Sequence, residues 1–219
     1  MSATKLSSQN ADQAAFDAAF AAVVKLDGVM IARGGRVLFR NVNFALSHGE
    51  IVQLRGANGT GKTSLLRAIA GALPVAGGTL ARHTDSIAFL PADDALWHGQ
   101  VTVRSALCDW AAVLGSDADA SHSALAALGL QSLAQTPLAV LSMGQKRRLS
   151  WARLLLRPAA LWLLDEPFNS LDRAGSDLVQ AQLRAHVARG GSAVIACHED
   201  LAAVLADLRV SVIDIAGAP

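Results

Sequence analysis

One stretch of the chain reads Gly56-Ala57-Asn58-Gly59-Thr60-Gly61-Lys62-Thr63 and lies between a run typical of a strand and a run typical of a helix. Its spacing is glycine, four residues, then Gly-Lys-Thr. Glycines let a backbone wrap around a polyphosphate with its N–H groups pointing inward, where a Cβ would obstruct the approach. The last three residues would open a helix whose N-terminal amides favour anions. The stretch therefore predicts a site for a nucleoside triphosphate.

The flanking runs support this P-loop prediction. Residues 50–55 are typical of a strand that leads into the loop, and residues 64–70 of a helix with one apolar face. We expect Lys62 to reach the β- and γ-phosphates of the nucleotide and the Thr63 hydroxyl to ligate Mg²⁺. The alternative is an ordinary glycine turn beside a surface lysine. The candidate nucleotide-binding residues of this loop are Gly56, Ala57, Asn58, Gly59, Thr60, Gly61, Lys62, Thr63 and Ser64.

Composition narrows the class of protein. A chain of 219 residues suits one domain, and an apolar content of 52% that is mostly alanine and leucine suits a helix-rich α/β protein. No apolar run approaches the roughly 18 residues of a spanning helix. The net charge of +1 indicates no nucleic-acid partner. Cys108 and Cys197 are far apart in the sequence and are expected to be reduced cytosolic thiols. The sequence contains no haem-attachment motif, so we expect no direct haem binding.

The first 24 residues are predicted to be an N-terminal extension. A secretory signal is disfavoured because Asp12 and Asp17 interrupt the apolar stretch. Phe16, Phe20 and Val24 recur every four residues, which is compatible with a short amphipathic helix. A frayed extension is the equally acceptable alternative.

The rest of the chain, residues 25–215, is predicted to be one α/β domain. Alternation over residues 25–55, with a hairpin turn at Gly34-Gly35, indicates an antiparallel sheet, and Gly77-Gly78 indicates a further turn before a strand at 86–90. Residues 93–157 have helical spacing and form a predicted helical subdomain. The apolar runs at 161–164 and 194–197, joined by a helix over 174–187, are typical of buried parallel strands in a βαβ unit. The sheet core is expected to be mixed.

Two carboxylates follow the first of these buried strands. In open α/β sheets ligands bind beyond the carboxyl ends of the strands, so Asp165 and Glu166 should lie beside the nucleotide. Asp165 suits the metal shell, through water, and Glu166 suits polarisation of the attacking water. The alternative is a surface acidic turn before Pro167.

A third motif, Leu141-Ser142-Met143-Gly144-Gln145, precedes a basic helix over 146–153. Its short residues at a helix start offer a second anion-binding end, although a plain N-cap at Ser142 is the simpler explanation. Taken with the P-loop and with Asp165-Glu166-Pro167 downstream, this motif resembles the signature of ATP-binding-cassette (ABC) ATPases. The resemblance extends over the chain from about residue 25.

The resemblance implies a P-loop NTPase fold of the ABC type and a head-to-tail dimer with a second copy of the chain. ATP would lie between the P-loop of one copy and Ser142, Gly144 and Gln145 of the other. Asp172 falls in the family's D-loop, which crosses the dimer interface, and His198 matches the histidine that contacts the γ-phosphate. A strand-end histidine bonded to backbone is the alternative for His198. The basic helix is expected to be solvated rather than a nucleic-acid patch.

A narrower resemblance is carried by residues 145–148, 151–154 and 161–168, which are similar to the CcmA family of cytochrome c biogenesis. It implies a peripheral ATPase at the cytoplasmic face of the bacterial inner membrane. The implied partners are an integral membrane subunit, CcmB, with CcmC and CcmD nearby, and the implied work is haem export or release of the haem-loaded chaperone CcmE. The alternatives are an exporter ATPase for another small substrate, a soluble ABC protein of DNA maintenance or translation, and a regulatory module without turnover.

Two positions depart from the family pattern. The glutamine that usually follows the strand equivalent to 86–90 is absent, and Asp93 is the nearest candidate for its role at Mg²⁺. The aromatic residue that usually stacks on adenine is replaced by Arg33, whose guanidinium can stack on a base face.

Overall fold

The computed structural model describes residues 22–93 and 101–217. Two short 3₁₀ turns, Gln131–Leu133 and Leu138–Val140, interrupt the helical region. The regular elements of the described residues are β1 (Ala22–Arg33), β2 (Arg36–Ser47), β3 (Ile51–Arg55), α1 (Lys62–Ile69), β4 (Gly77–Arg82), β5 (Ile87–Leu90), α2 (Val103–Leu114), α3 (Ala118–Ala127), α4 (Met143–Leu155), β6 (Leu161–Asp165), α5 (Arg173–Ala188), β7 (Ser192–Ala196), α6 (Leu201–Val204) and β8 (Val210–Asp214).

The alternating N-terminal region forms the predicted antiparallel sheet, with strand order β2-β1-β4. The hairpin turns at Gly34-Gly35, as expected, and β2 continues to Ser47 as one strand. The prediction of a turn at Gly77-Gly78 is wrong, because both residues begin β4. Gly78 has φ 75° and lies so close to the backbone of Gly28 that any Cβ would collide with it. Its glycine is therefore needed for the close approach of two strands.

The second sheet is parallel throughout its described strands, in the order β5-β6-β7-β3-β8. Every residue of β6 and β7 is buried. Leu161, Leu163 and Val194 face α1 and the antiparallel sheet. Trp162 and Leu164 face the helices on the other side. Coverage of both faces explains the continuous apolar runs, and the unit β6-α5-β7 confirms the predicted βαβ crossover.

The N-terminal boundary differs from the prediction. Residues 1–21, and with them most of the predicted amphipathic helix, lie outside the described residues. Val24, however, is a fully buried strand residue that pairs with Leu46 and Arg82. β1 therefore begins at Ala22, three residues before the predicted domain boundary at residue 25, and both Ala22 and Val24 pair with β2 there.

The helical region between β5 and β6 contains α2, α3 and α4. Thr102 caps α2 by accepting a hydrogen bond from the Ser105 N–H, and Gly115 ends it in a left-handed conformation. The region brings Ser142 to the start of α4. None of the helices in residues 22–93 and 101–217 has the length and apolarity needed to cross a lipid bilayer.

Candidate active site

The P-loop connects β3 to α1 at the carboxyl edge of the parallel sheet. Gly61 stands at the start of α1 with φ 104°, and a Cβ there would lie 3.0 Å from the ring of Phe39. No side chain caps the helix, so its first N–H groups face the loop. A cleft of about 350 Å³ opens at this point. Its lining residues are Arg33, Leu38, Asn58, Gly59, Gly61, Lys62, Thr63, Ser64, Ala92, Asp165 and Glu166.

Lys62 is folded onto the loop that carries it. Its ammonium group donates to the Gly56 carbonyl at 2.7 Å and to the Ala57 carbonyl at 3.2 Å, and the residue is only 6% exposed. A buried ammonium held by neutral carbonyls, beside a helix start that no side chain caps, is suited to an anionic ligand. The arrangement fits the phosphates of a nucleotide.

Thr63 and Asp165 join the P-loop helix to the end of β6. The Thr63 hydroxyl donates to the Asp165 carboxylate at 2.7 Å, and Asp165 is buried. A hydroxyl and a carboxylate are the hard oxygen ligands that Mg²⁺ prefers, and both line the cleft. These two side chains therefore fit the metal ion that the sequence predicted.

Glu166 follows immediately, in a strained backbone conformation. Its φ is 46°, which is uncommon for a residue with a Cβ, and its N–H donates to the Ala196 carbonyl of β7 at 2.7 Å. The side chain is 16% exposed. Burial raises the pKa of Glu166, while the positive charges of His198 and Lys62 act to lower it. A carboxylate with a raised pKa is a better proton acceptor than an ordinary one.

His198 links the P-loop to this acidic turn. Its Nε2 lies 3.2 Å from a Glu166 carboxylate oxygen and 2.9 Å from the Asn58 amide oxygen. Both atoms are acceptors, so Nε2 carries the proton. The contacts of His198 are thus to two site residues rather than to backbone, against the alternative of a strand-end histidine.

The signature residues lie elsewhere. Ser142 and Gln145 form a capping box on α4, in which the Ser142 hydroxyl accepts from the Gln145 N–H at 3.2 Å and the Gln145 side chain accepts from the Ser142 N–H at 2.8 Å. Asp172 caps α5 through the Gly175 N–H at 2.8 Å. Gly144 packs against Ser170, whose carbonyl would lie 2.7 Å from any Cβ. None of Ser142, Gly144, Gln145 or Asp172 is among the residues that line the cleft.

Of the two positions that depart from the family pattern, Arg33 is exposed and lines the cleft, where its guanidinium can meet a base. Asp93 is exposed, and Ala92 rather than Asp93 lines the cleft. A role for Asp93 at the metal stays a prediction.

Two buried polar residues were missed. Gln53 accepts from the Leu201 N–H and donates to the Glu199 carbonyl, so it holds the loop that carries His198. Arg147, in the helix expected to be solvated, is buried and contacts the backbone around Asp165 and Glu166. That expectation is therefore wrong for Arg147. Two features of the sequence could have indicated them. Gln53 stands within an apolar strand, and Arg147 lies four residues before Trp151, on the same face of a helix.

The raised pKa of Glu166 gives a prediction for stability. The native state favours the protonated carboxyl of Glu166. The contribution of this carboxyl to the free energy of unfolding is therefore fully present at low pH and is lost as the pH rises through the raised pKa. Glutamine imitates the protonated form at every pH. Glu166→Gln should therefore be more stable than the unchanged protein at about pH 8, with a smaller advantage at about pH 5. Urea unfolding at both values measures the difference, and an advantage that grows as the pH falls would contradict the assignment.

Comparison with known proteins agrees with this geometry. A family model described as ABC transporter matches residues 39–169. The cytochrome c biogenesis ATP-binding export protein CcmA of Paracoccus denitrificans is 46% identical over 172 residues, which are 78% of this chain and 80% of that protein. The protein of the same name from Bradyrhizobium diazoefficiens is 42% identical over 190 residues, 83% of this chain and 94% of its own.

A solved structure of the ATP-binding subunit of an ABC transporter has a similar fold. It superposes with a TM-score of 0.73 at 20% identity, covering 90% of this chain and 89% of its own. At this identity the likeness supports the fold alone.

Proposed function

The chain belongs to the ABC transporter family of ATP-binding proteins, and from this membership we propose that it powers a membrane complex of c-type cytochrome biogenesis. It is an ATP-hydrolysing subunit, and such subunits work with membrane subunits in transporter complexes. The observation that carries the catalytic part is the Glu166–His198 pair beside the P-loop. The cytochrome part rests on relatives at 46% and 42% identity.

The proposed chemistry uses this chain's own groups in sequence. Lys62 exchanges its loop carbonyls for the β- and γ-phosphates of ATP, and the first N–H groups of α1 bind the same phosphates. Thr63 and Asp165 would hold Mg²⁺, Asp165 through water, and a bound ion would supply positive charge against the charge that develops on the phosphates. Glu166 accepts the proton of the attacking water, and His198 orients Glu166 through its Nε2–H. Arg33 stacks on the base.

The proposed site needs a second copy of the chain. Ser142 is exposed at the start of α4 but outside the cleft of its own chain, so we infer that its hydroxyl, with Gly144 and Gln145 beside it, completes a partner's site. A helix N-terminus facing the γ-phosphate adds a second set of amide donors. Asp172 is the N-cap of α5 and follows two residues after Ser170, which packs against Gly144, so we assign Asp172 to the proposed interface.

The proposed partners are an integral membrane subunit of the CcmB type, with CcmC- and CcmD-like proteins, and the ATPase would bind them at the cytoplasmic face of the inner membrane. The work it drives is haem export or release of a haem-loaded chaperone. The regulatory alternative is disfavoured because Lys62, Asp165 and Glu166 line one cleft, and His198 contacts two of its lining residues, Asn58 and Glu166. An exporter ATPase for another small substrate is the alternative that the test below separates.

Deleting the gene from its own genome should abolish covalently haem-bound c-type cytochromes while b-type cytochromes remain. Haem staining of membrane proteins after denaturing electrophoresis measures the first, and difference spectra measure the second. Restoring the unchanged gene should restore the stain, and restoring Glu166→Gln should not. If c-type cytochromes persist in the deletion strain, the proposed pathway is wrong.

A further inference from the structure

Arg147 gathers the carbonyl groups of two separate loops. Its Nη2 donates to the Asp165 and Glu166 carbonyls at 2.6 and 2.7 Å, and its Nε donates to the Pro167 carbonyl at 3.2 Å. Its Nη1 donates to the Pro91 carbonyl at 2.7 Å and to the Ala92 carbonyl at 3.4 Å. The residue is 6% exposed. One guanidinium thus bonds to three successive carbonyls after β6 and to the loop after β5.

The backbone that it holds is the strained one. Glu166 has a left-handed φ of 46° despite its Cβ, and such a conformation persists only where its surroundings fix it. At Glu166 the N–H is fixed by the Ala196 carbonyl and the C=O by Arg147. Hydrogen bonds from a charged donor are roughly twice as strong as neutral ones. Arg147 therefore has the reach and the strength to set where the Glu166 carboxylate points.

Arg147 also connects this turn to the signature motif. It lies on α4, whose first turn contains Gly144 and whose N-cap is Ser142. One turn further along the same face, the Trp151 indole N–H donates to the Pro167 carbonyl at 3.0 Å. Any displacement of α4 relative to β6 would therefore act on the Glu166 backbone, and on the loop after β5, through the same side chain.

We propose that Arg147 is a positioning residue that couples α4 and the loop after β5 to the orientation of Glu166. The proposal rests on the proposed ATPase function of the site. Arg147 is not among the residues that line the cleft, and it acts on Glu166 through the backbone carbonyls that it binds. In this chain, where no glutamine stands at 91–93, Arg147 links the loop after β5 to the acidic turn.

The test compares Arg147→Lys with Arg148→Lys in the complex purified with its membrane subunits. Lysine keeps the charge but lacks the planar fork that reaches all these carbonyls. Arg148, its neighbour, contacts the Leu128 and Gly129 carbonyls, away from the turn, and is the matched control. We expect Arg147→Lys to lower kcat by about tenfold or more with a change of less than about threefold in ATP affinity, and Arg148→Lys to change neither.

The residual hydrolysis rate of the double variant Arg147→Lys with Glu166→Gln distinguishes a positioning role from a merely structural one. If Arg147 acts through Glu166, adding Arg147→Lys to Glu166→Gln should leave the residual hydrolysis rate unchanged, because the group being positioned is already gone. The proposal would be overturned if the double variant hydrolysed ATP more slowly than Glu166→Gln by the same factor that Arg147→Lys shows alone. A normal kcat in Arg147→Lys would also overturn it. If Arg147→Lys does not fold, Arg147→Gln, which offers two neutral amide donors, undergoes the same comparison.

The proposed function can fail separately. A Glu166→Gln complex that hydrolyses ATP at the normal rate would refute the role of Glu166 itself, and Arg147 would then have no carboxylate to position. If Glu166→Gln hydrolyses ATP slowly and Arg147→Lys lowers that residual rate further by its own factor, only the role of Arg147 is refuted.

Discussion

Glu166→Gln should slow ATP hydrolysis by about 100- to 10,000-fold, the usual contribution of general acid–base catalysis. Glutamine keeps the size of the side chain and can still meet the Nε2–H of His198, but it cannot accept a proton. The P-loop contacts of Lys62 and Thr63 are untouched, so ATP affinity should stay close to that of the unchanged protein. Phosphate release under single-turnover conditions measures the chemical step, and equilibrium binding of a fluorescent ATP analogue measures affinity.

The matched control is Glu199→Gln, the same change one residue beyond His198. Glu199 is exposed, and its contact with Gln53 is made by the backbone carbonyl, which the substitution retains. Its hydrolysis rate should therefore be normal. With ATP bound and not hydrolysed, Glu166→Gln should also elute as a dimer in size-exclusion chromatography. A Glu166→Gln protein with ordinary turnover would exclude Glu166 as the proton acceptor.

The site could be predicted from sequence wherever its chemistry depends on neighbours in the chain. The spacing from Gly56 to Thr63 specifies a loop and a helix start by local backbone geometry alone. The position of Asp165 and Glu166 follows from a general rule, because carboxyl ends of parallel strands share one edge of a sheet. The 2.7 Å contact between Thr63 and Asp165 shows that the two segments do meet there.

Features that depend on contacts between distant segments of the chain could not be predicted from the sequence. Gln53 and Arg147 are polar residues that bond to backbone carbonyls or N–H groups of distant segments. Backbone groups are the same in every residue, so no sequence pattern reveals these contacts. For the same reason the charge of residues 146–153 predicts a solvated helix, although Arg147 is buried. The pair Gly77-Gly78 predicts a turn by composition, whereas the backbone that Gly78 approaches belongs to Gly28, which lies 50 positions away in the chain.

The division of the proposed site between two copies leads to the second large effect. Lys62→Ala should abolish hydrolysis by removing the phosphate-binding cation. Ser142→Asp should abolish it by placing a carboxylate where a partner's γ-phosphate would lie, while the helix cap survives because aspartate is as good an N-cap as serine. Ser142→Asn, which is neutral and also caps well, is the control for size and should retain most of the activity.

Mixing the two inactive proteins should restore hydrolysis. In a head-to-tail dimer of Lys62→Ala with Ser142→Asp, both defects fall in one site and the other site is intact. Random pairing then gives about a quarter of the normal single-turnover amplitude. Lys62→Ala mixed with Glu166→Gln is the counterpart, because each of these changes disables the site on its own chain and no intact site can form. Recovery in the first mixture and none in the second requires Ser142 to act on the partner's nucleotide. If neither mixture hydrolyses ATP, Ser142 acts on the nucleotide bound to its own chain. In that case α4 would have to move to bring Ser142 into the cleft, which it does not line.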